Sequence, residues 1–216
     1  MVNPVYMPPI IYPMIPKTAN LELTLQILGF CACICLSWLF AFALEKHMAK
    51  RFERKTIIAN IILPIITTAL LVLVFGYTME TVKGFILFML LLFASNSDIA
   101  TREVDNNIPI MIGITALIGV SFLDLPLMIL SAVLISIPQI LIAILKPNTY
   151  GGADIKIMAA CALLLGIGKG FFAIIIGLSL AVICTLIIKK ARKQSIKASF
   201  PLVPYLAVGC MVAFFL

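Results

Sequence analysis

Two aspartates stand where an acid is costly. Asp98 closes one long apolar run, and Asp154 follows Gly151-Gly152-Ala153 at the head of another, 56 residues on. An ionisable side chain inside a membrane segment costs about 2.5–3.5 kcal/mol on insertion scales, so it usually faces a cavity and serves a purpose. Two carboxylates at one depth in a low-dielectric site cannot both ionise easily, and such a pair holds a shared proton. That is the chemistry of an aspartyl protease: one carboxylate draws a proton from water while the other, protonated, hydrogen-bonds the scissile carbonyl.

Each residue also has a purely local explanation. Gly151 and Gly152 allow tight backbone geometry and close approach of a second extended chain, and they equally suit the turn of a helical hairpin. Asp154 can be a first-turn acid favoured by the helix dipole, and Arg102 can pair with Asp98 four residues away if that helix continues. Lys156, two residues or about 200° round the helix from Asp154, is expected to snorkel to the interface rather than pair with it. By the dipole argument Asp154, at a helix N-terminus, is the better anion and the resting base, although Arg102 opposes this by favouring ionised Asp98.

The elements that position these residues are membrane helices. The 216-residue chain is 63% hydrophobic and 12% charged, with a mean hydropathy of +1.19, well outside the range of soluble domains. A span needs about 20 apolar residues. Eight runs approach that length: Glu22 to Leu44, Thr56 to Phe75, Gly84 to Asp98, Ile108 to Leu123, Leu125 to Leu145, Gly151 to Gly168, Phe171 to Ile188 and Phe200 to Leu216. Pro64 and Pro138 fall inside two of them, Pro109 suits a first helical turn and Pro147 follows a helix end.

Residues 1–21, with Pro4, Pro8, Pro9, Pro13 and Pro16, are expected to form an irregular interfacial arm, leaving 22–216 as a single domain. Ala41-Phe42-Ala43 mimics a signal cleavage site, but the basic residues follow that run instead of preceding it. Threading the runs places twelve Lys and Arg in gaps on one side and only Lys17, Lys83 and Lys169 on the other. The positive-inside rule then puts the basic gaps, Asp98 and Asp154 at the cytoplasmic face and both termini outside. The net charge of +7 is thus an orienting charge, and nucleic-acid binding is a poor reading of it.

Cys31, Cys33, Cys35, Cys161, Cys184 and Cys210 all fall in apolar runs without the spacing of a metal site, and are expected to pack as free thiols. The one histidine, His47, lies in the basic stretch Glu45 to Lys55 and is expected to be a solvated loop residue. No metal ligand set is visible.

With these motifs in view, the chain resembles the type IV prepilin peptidases, bacterial membrane aspartyl proteases related to archaellin-processing enzymes. Their GxGD segment, often followed two residues on by lysine, reads here Gly151-Gly152-Ala153-Asp154-Ile155-Lys156, with alanine in place of the second glycine. Their D-x-x-T-R-x-I-P-N segment reads Asp98-Ile99-Ala100-Thr101-Arg102-Glu103-Val104-Asp105-Asn106, with Asp105 in place of proline. Position in the motif favours Asp98 over Asp105 as the partner of Asp154. Phe200 to Ala207 is similar to the proline-containing stretch that opens the last family helix.

The resemblance implies an all-α, polytopic aspartic endopeptidase with Asp98 and Asp154 catalytic. It implies Thr101, Arg102, Asn106, Gly151, Gly152 and Lys156 in supporting or substrate-loop roles. It further implies cleavage of the basic leader of pilin-like precursors at the cytoplasmic membrane face, with the bilayer as the other partner and no cofactor. Longer family members carry a tetracysteine, zinc-binding insert after the first span, associated with N-methylation. The stretch Glu45 to Lys55 has no cysteine, so methyltransferase activity is not expected. Two other classes compete: a transporter or channel subunit using Asp98 and Asp154 as proton or cation sites, and an assembly protein in which they merely cap helices. Ala159-Ala160-Cys161-Ala162 permits close helix packing within one chain or between two, leaving oligomeric state open.

Overall fold

The computed structural model describes residues 17–52, 57–146, 151–192 and 200–216. Their regular elements are helices: α1 (Lys17–Arg51), α2 (Ala59–Phe75), α3 (Met79–Thr101), α4 (Asn107–Ala116), α5 (Leu125–Leu145), α6 (Gly152–Arg192) and α7 (Val203–Phe215). Helices α1, α3, α5 and α6 are long and apolar enough to cross a membrane, whereas α2, α4 and α7 are shorter apolar helices. The outward faces carry large exposed apolar groups, among them Leu25, Trp38, Leu73, Leu130 and Ile187. Such a surface suits lipid and not water.

The eight expected spans thus appear as seven helical elements. The α5 bounds coincide with the expected Leu125 to Leu145. Helix α1 starts at Lys17, so residues 17–21 of the expected arm are helical; the rest of the arm, and Pro147, lie outside the described residues. At its other end α1 runs through Glu45 to Arg51, a stretch expected as loop, because Leu44, Glu45, Lys46, Met48, Ala49 and Lys50 are strong helix formers. Lys50 and Arg51 then sit in its last turn, where cations offset the dipole. His47 is therefore helical; it is exposed as expected, but its ring stacks on Phe93 with centroids 6.4 Å apart.

Helix α4 is ten residues long, about 15 Å at 1.5 Å per residue, and falls well short of Leu123. Gly119 turns the chain at φ 65° and the Ser121 hydroxyl accepts the Leu123 N–H at 3.3 Å, carrying it into α5.

Helix α6 folds back on itself. Gly166, at φ 79° and ψ 178°, interrupts it. A Cβ built on Gly170 would lie 3.5 Å from the Ala162 Cα. Eight residues of unbroken helix would separate those positions by about 12 Å. Residues 152–165 and 167–192 therefore form two antiparallel arms, as the two separate runs anticipated, with the reversal at Gly166.

Leu87, Leu91, Ile112, Ile135, Ile157, Met158, Cys161, Leu206 and Cys210 make the core between α3, α4, α5, α6 and α7. In lipid, helix association rests on close van der Waals approach more than on apolar burial, so small residues set the interfaces. Gly209 shows this best. A Cβ there would run into the Ala173 carbonyl oxygen and come within 2.8 Å of the Gly177 nitrogen, both backbone atoms of the second α6 arm.

The pairings sort the helix ends into two layers. One end gathers the close of α1 and α3 and the start of α2, α4, α6 and α7, through contacts described below. At the other, the Tyr77 hydroxyl donates to the Gln26 carbonyl at 2.7 Å and Phe75 packs on Phe214 and Phe215.

Gly209→Ala is expected to cost about 1–3 kcal/mol, the usual range for overpacking, because backbone cannot yield. Gly113→Ala, whose new methyl would meet only Leu163 Cδ2 at 4.0 Å, is expected to be neutral or slightly stabilising. Thermal unfolding of the two purified variants in one detergent checks the contrast.

Candidate active site

The last two turns of α3 are polar in an otherwise apolar helix: Ser95, Asn96, Ser97 and Asp98 are all buried. Their hydroxyls and that of Thr101 donate to backbone carbonyls of the same helix or of the turn that follows it. Ser95 Oγ donates to the Leu91 carbonyl at 2.7 Å, and Ser97 Oγ donates to the Glu103 carbonyl at 2.7 Å. Thr101 Oγ1 donates to the Ser97 carbonyl at 2.9 Å and accepts the Glu103 N–H at 3.3 Å. The helix ends at Arg102, which adopts the left-handed conformation at φ 61° and donates its N–H to the Asp98 carbonyl at 3.0 Å. A non-glycine residue there costs about 1–2 kcal/mol, which the hydroxyl brace around Glu103 offsets.

Because the chain turns at Arg102, the helical i,i+4 pairing with Asp98 does not form. Arg102 makes no ion pair with Asp98 among the described residues, and its charge acts on Asp98 from a longer range. Asp98, 8% exposed, instead points into the bundle and accepts the Val203 N–H at 3.1 Å through Oδ2. Val203 is the first residue of α7, so the free amides of that N-terminus meet the carboxylate. The Leu202 amide also bears on it.

Asp154, 9% exposed, lies in the first turn of α6. Its Oδ2 folds back to accept the Gly151 N–H at 3.2 Å. A Cβ on Gly151 would sit 2.6 Å from that oxygen, which gives this glycine a direct reason. Gly152 differs: it is exposed, and a Cβ there would meet nothing within 4 Å. Ala153 is inside the helical turn, where alanine is the best former, so its substitution for glycine is locally harmless. Asp98 and Asp154 come from two different helix ends on the same side of the bundle, within electrostatic range of each other.

The other motif residues form the rim. Lys156 Nζ donates to Asn106 Oδ1 at 2.8 Å, tying α6 to the start of α4. As the helical angle required, Lys156 faces away from Asp154. It has a specific partner instead of only the interface. With Asn106 it heads an apolar groove of about 520 Å³ lined by Pro109, Gly113, Ala132 and Ala160. Asp105 does not join the pair. Its Oδ1 accepts the Asn107 N–H at 3.1 Å, capping α4, and its Oδ2 meets Arg51 Nη2 at 3.4 Å. The acid thus satisfies the first free amide of α4.

Two features carry no sign in the motifs. One is Val203, whose contribution is a backbone amide. The other is a buried chain of side chains beside the site. Glu45, 1% exposed, accepts the Ile57 N–H and Asn60 Nδ2, each at 2.7 Å, and Asn60 Nδ2 also donates to Asn96 Oδ1 at 3.0 Å. Amides and an acid within or at the edge of apolar runs were the available signal.

Among the described residues no group of three or more His, Cys, Asp or Glu could hold a metal ion. All six cysteines are free; Cys161 and Cys210 are buried in the core, whereas Cys31 and Cys35 are exposed.

The model of the type IV leader peptidase family matches residues 85–186. That stretch holds Asp98, Thr101, Arg102, Asn106, Gly151, Gly152, Asp154 and Lys156. No curated protein and no solved structure matches the chain.

Lys156→Met and Asn106→Ala are each expected to destabilise by about 0.5–1.5 kcal/mol, the range for a net hydrogen bond. Together they should cost little more than either alone. Additive losses in thermal unfolding would show that the two side chains do not act as a pair.

Proposed function

We propose, from the match of residues 85–186 to the type IV leader peptidase family, that this chain is an aspartic endopeptidase. It removes the basic leader of pilin-like precursors at the cytoplasmic membrane face. The observation that carries this reading is that two buried carboxylates, Asp98 and Asp154, lie at one end of the bundle within electrostatic range of each other.

The pair acts as a unit holding one proton. A water between the carboxylates gives a proton to the ionised one as its oxygen attacks the scissile carbonyl, while the protonated one donates to the carbonyl oxygen. Collapse of the resulting diol returns a proton to the leaving amine and restores the pair. The helix dipole at the start of α6 favours Asp154 as resting base. The α7 N-terminus gives Asp98 amide donors of the same kind, so the proton belongs to the dyad rather than to either member.

A substrate must be extended to be cut, and exposed Gly152 leaves open surface beside Asp154 for an approaching backbone. Lys46, Lys50, Arg51, Arg102 and Lys146 belong to the helix ends on the aspartate side, and Lys83 and Lys169 to the opposite side. This asymmetry supports a cytoplasmic active site with both termini outside. A proton or cation carrier would place its acids toward the midplane, and the position of the pair at a bundle end speaks against that alternative.

Co-expression with a pilin-like precursor tests the reading. Asp98→Asn and Asp154→Asn should each lower leader removal at least about 10³-fold, within the 10²–10⁴ that a general acid or base contributes. Asp105→Asn should retain processing. Full processing by either of the first two variants would remove that residue from the mechanism.

A further inference from the structure

The last turn of α3 is gripped from two sides. Asp98 reaches α7 through the Val203 amide. Asn96, two residues earlier and therefore about 200° round the helix, reaches the other way. Its Oδ1 accepts from Asn60 Nδ2 at 3.0 Å, its Nδ2 donates to the Leu92 carbonyl at 2.8 Å, and Asn60 is in turn held by Glu45 at 2.7 Å. The other Glu45 oxygen accepts the Ile57 N–H, also at 2.7 Å. Three helices, α1, α2 and α3, are thereby joined at the depth of the aspartate pair by buried groups.

We infer that Glu45, acting through Asn60 and Asn96, is a positioning residue that fixes the rotation of α3 and hence the place of the Asp98 carboxylate. The inference rests on the proposed two-aspartate reading. Geometry gives it a size. A carboxylate about 6 Å from the helix axis, the Cα radius of about 2.3 Å plus the side chain, moves about 1 Å for each 10° of rotation. Misplacement by about 1 Å costs about 10²-fold in rate. The amides at the α7 start hold Asp98 from one side only and act as a pivot; the opposing bonds at Asn96 supply the second point.

A carboxylate is the fitting group at position 45. It must accept from both a backbone amide and the Asn60 amide at once, and hydrogen bonds to a charged acceptor are roughly twice as strong as neutral ones. A glutamine presents one acceptor oxygen and turns a donor toward Asn60 Nδ2.

The test is steady-state cleavage of a pilin-like precursor by the full-length protein in detergent or proteoliposomes. Glu45→Gln should lower kcat about 10²-fold with KM within about twofold, since substrate contacts are untouched. The exchange Glu45→Gln with Asn60→Asp reverses donor and acceptor across that contact; the 3.0 Å bond from Asn60 Nδ2 to Asn96 Oδ1 is then replaced by one from Asn96 Nδ2, which already approaches Asn60 Oδ1 at 3.4 Å, to the new carboxylate. It should recover at least about tenfold of the lost kcat, and it serves as the informative variant should Glu45→Gln not accumulate. Ser37→Ala removes a different buried α1–α2 contact, the 2.9 Å bond from Thr68 Oγ1, and should lower thermal stability while leaving kcat unchanged.

Wild-type kcat in Glu45→Gln, an equal loss of kcat in Ser37→Ala, or an exchange variant no better than the single one would each overturn the inference. Loss of activity in Asp98→Asn and Asp154→Asn alongside a fully active Glu45→Gln would reject this role and leave the protease reading standing. Activity in the two asparagine variants would reject the protease reading itself.

Discussion

A carboxylate taken out of water must be met by donors, and this fold meets two of them at one end of a helical bundle. Asp98 is met by the opening amide of α7 and Asp154 by the amide of Gly151, at 3.1 and 3.2 Å. Hydrogen bonds to charged groups contribute about 1.5–3 kcal/mol each, comparable with the cost of placing the acid in an apolar segment. Both donors are backbone amides at helix starts, where they have no helical partner to lose. The α7 start is buried against α3 and α6, so the requirements of Asp98 also constrain the packing of the last helix.

The packing follows from that arrangement. Bringing the start of α7 to the end of α3 requires the second arm of α6 to return from the far end of the bundle to the aspartate end first, which the break at Gly166 permits. The second arm must then lie backbone to backbone against α7, which Gly177 and Gly209 permit. Glu45, Asn60 and Asn96 apply the same logic on the other face of α3: each buried polar group is satisfied by another, and the satisfied set holds three helices in register.

The chemistry was more legible in the sequence than the geometry that supports it. Asp98 and Asp154 stand out because acids are rare in apolar runs, and alternation of the helices suffices to bring them to one end. The bounds of α5 were legible because punctuation marks both ends. Arg102 was not. Side-chain spacing suggests a helical pair with Asp98, and only the left-handed turn, stabilised by Ser97 and Thr101, cancels it. Val203 was invisible as a donor because a backbone amide leaves no mark on residue type. Glu45 reads as part of a basic loop until the helix is seen to continue through it. The shortness of α4 was hidden because Phe122 and Leu123, apolar enough for a span, lie exposed in a turn after Gly119.

The central claim is that Asp98 and Asp154 work as one proton-sharing pair. The most direct measurement is the pH dependence of kcat/KM for precursor cleavage by the reconstituted wild-type protein. A shared proton gives a bell with both limbs in the acid to neutral range, each belonging to the pair and not to one residue. A single limb, or a rate flat across that range, would contradict it.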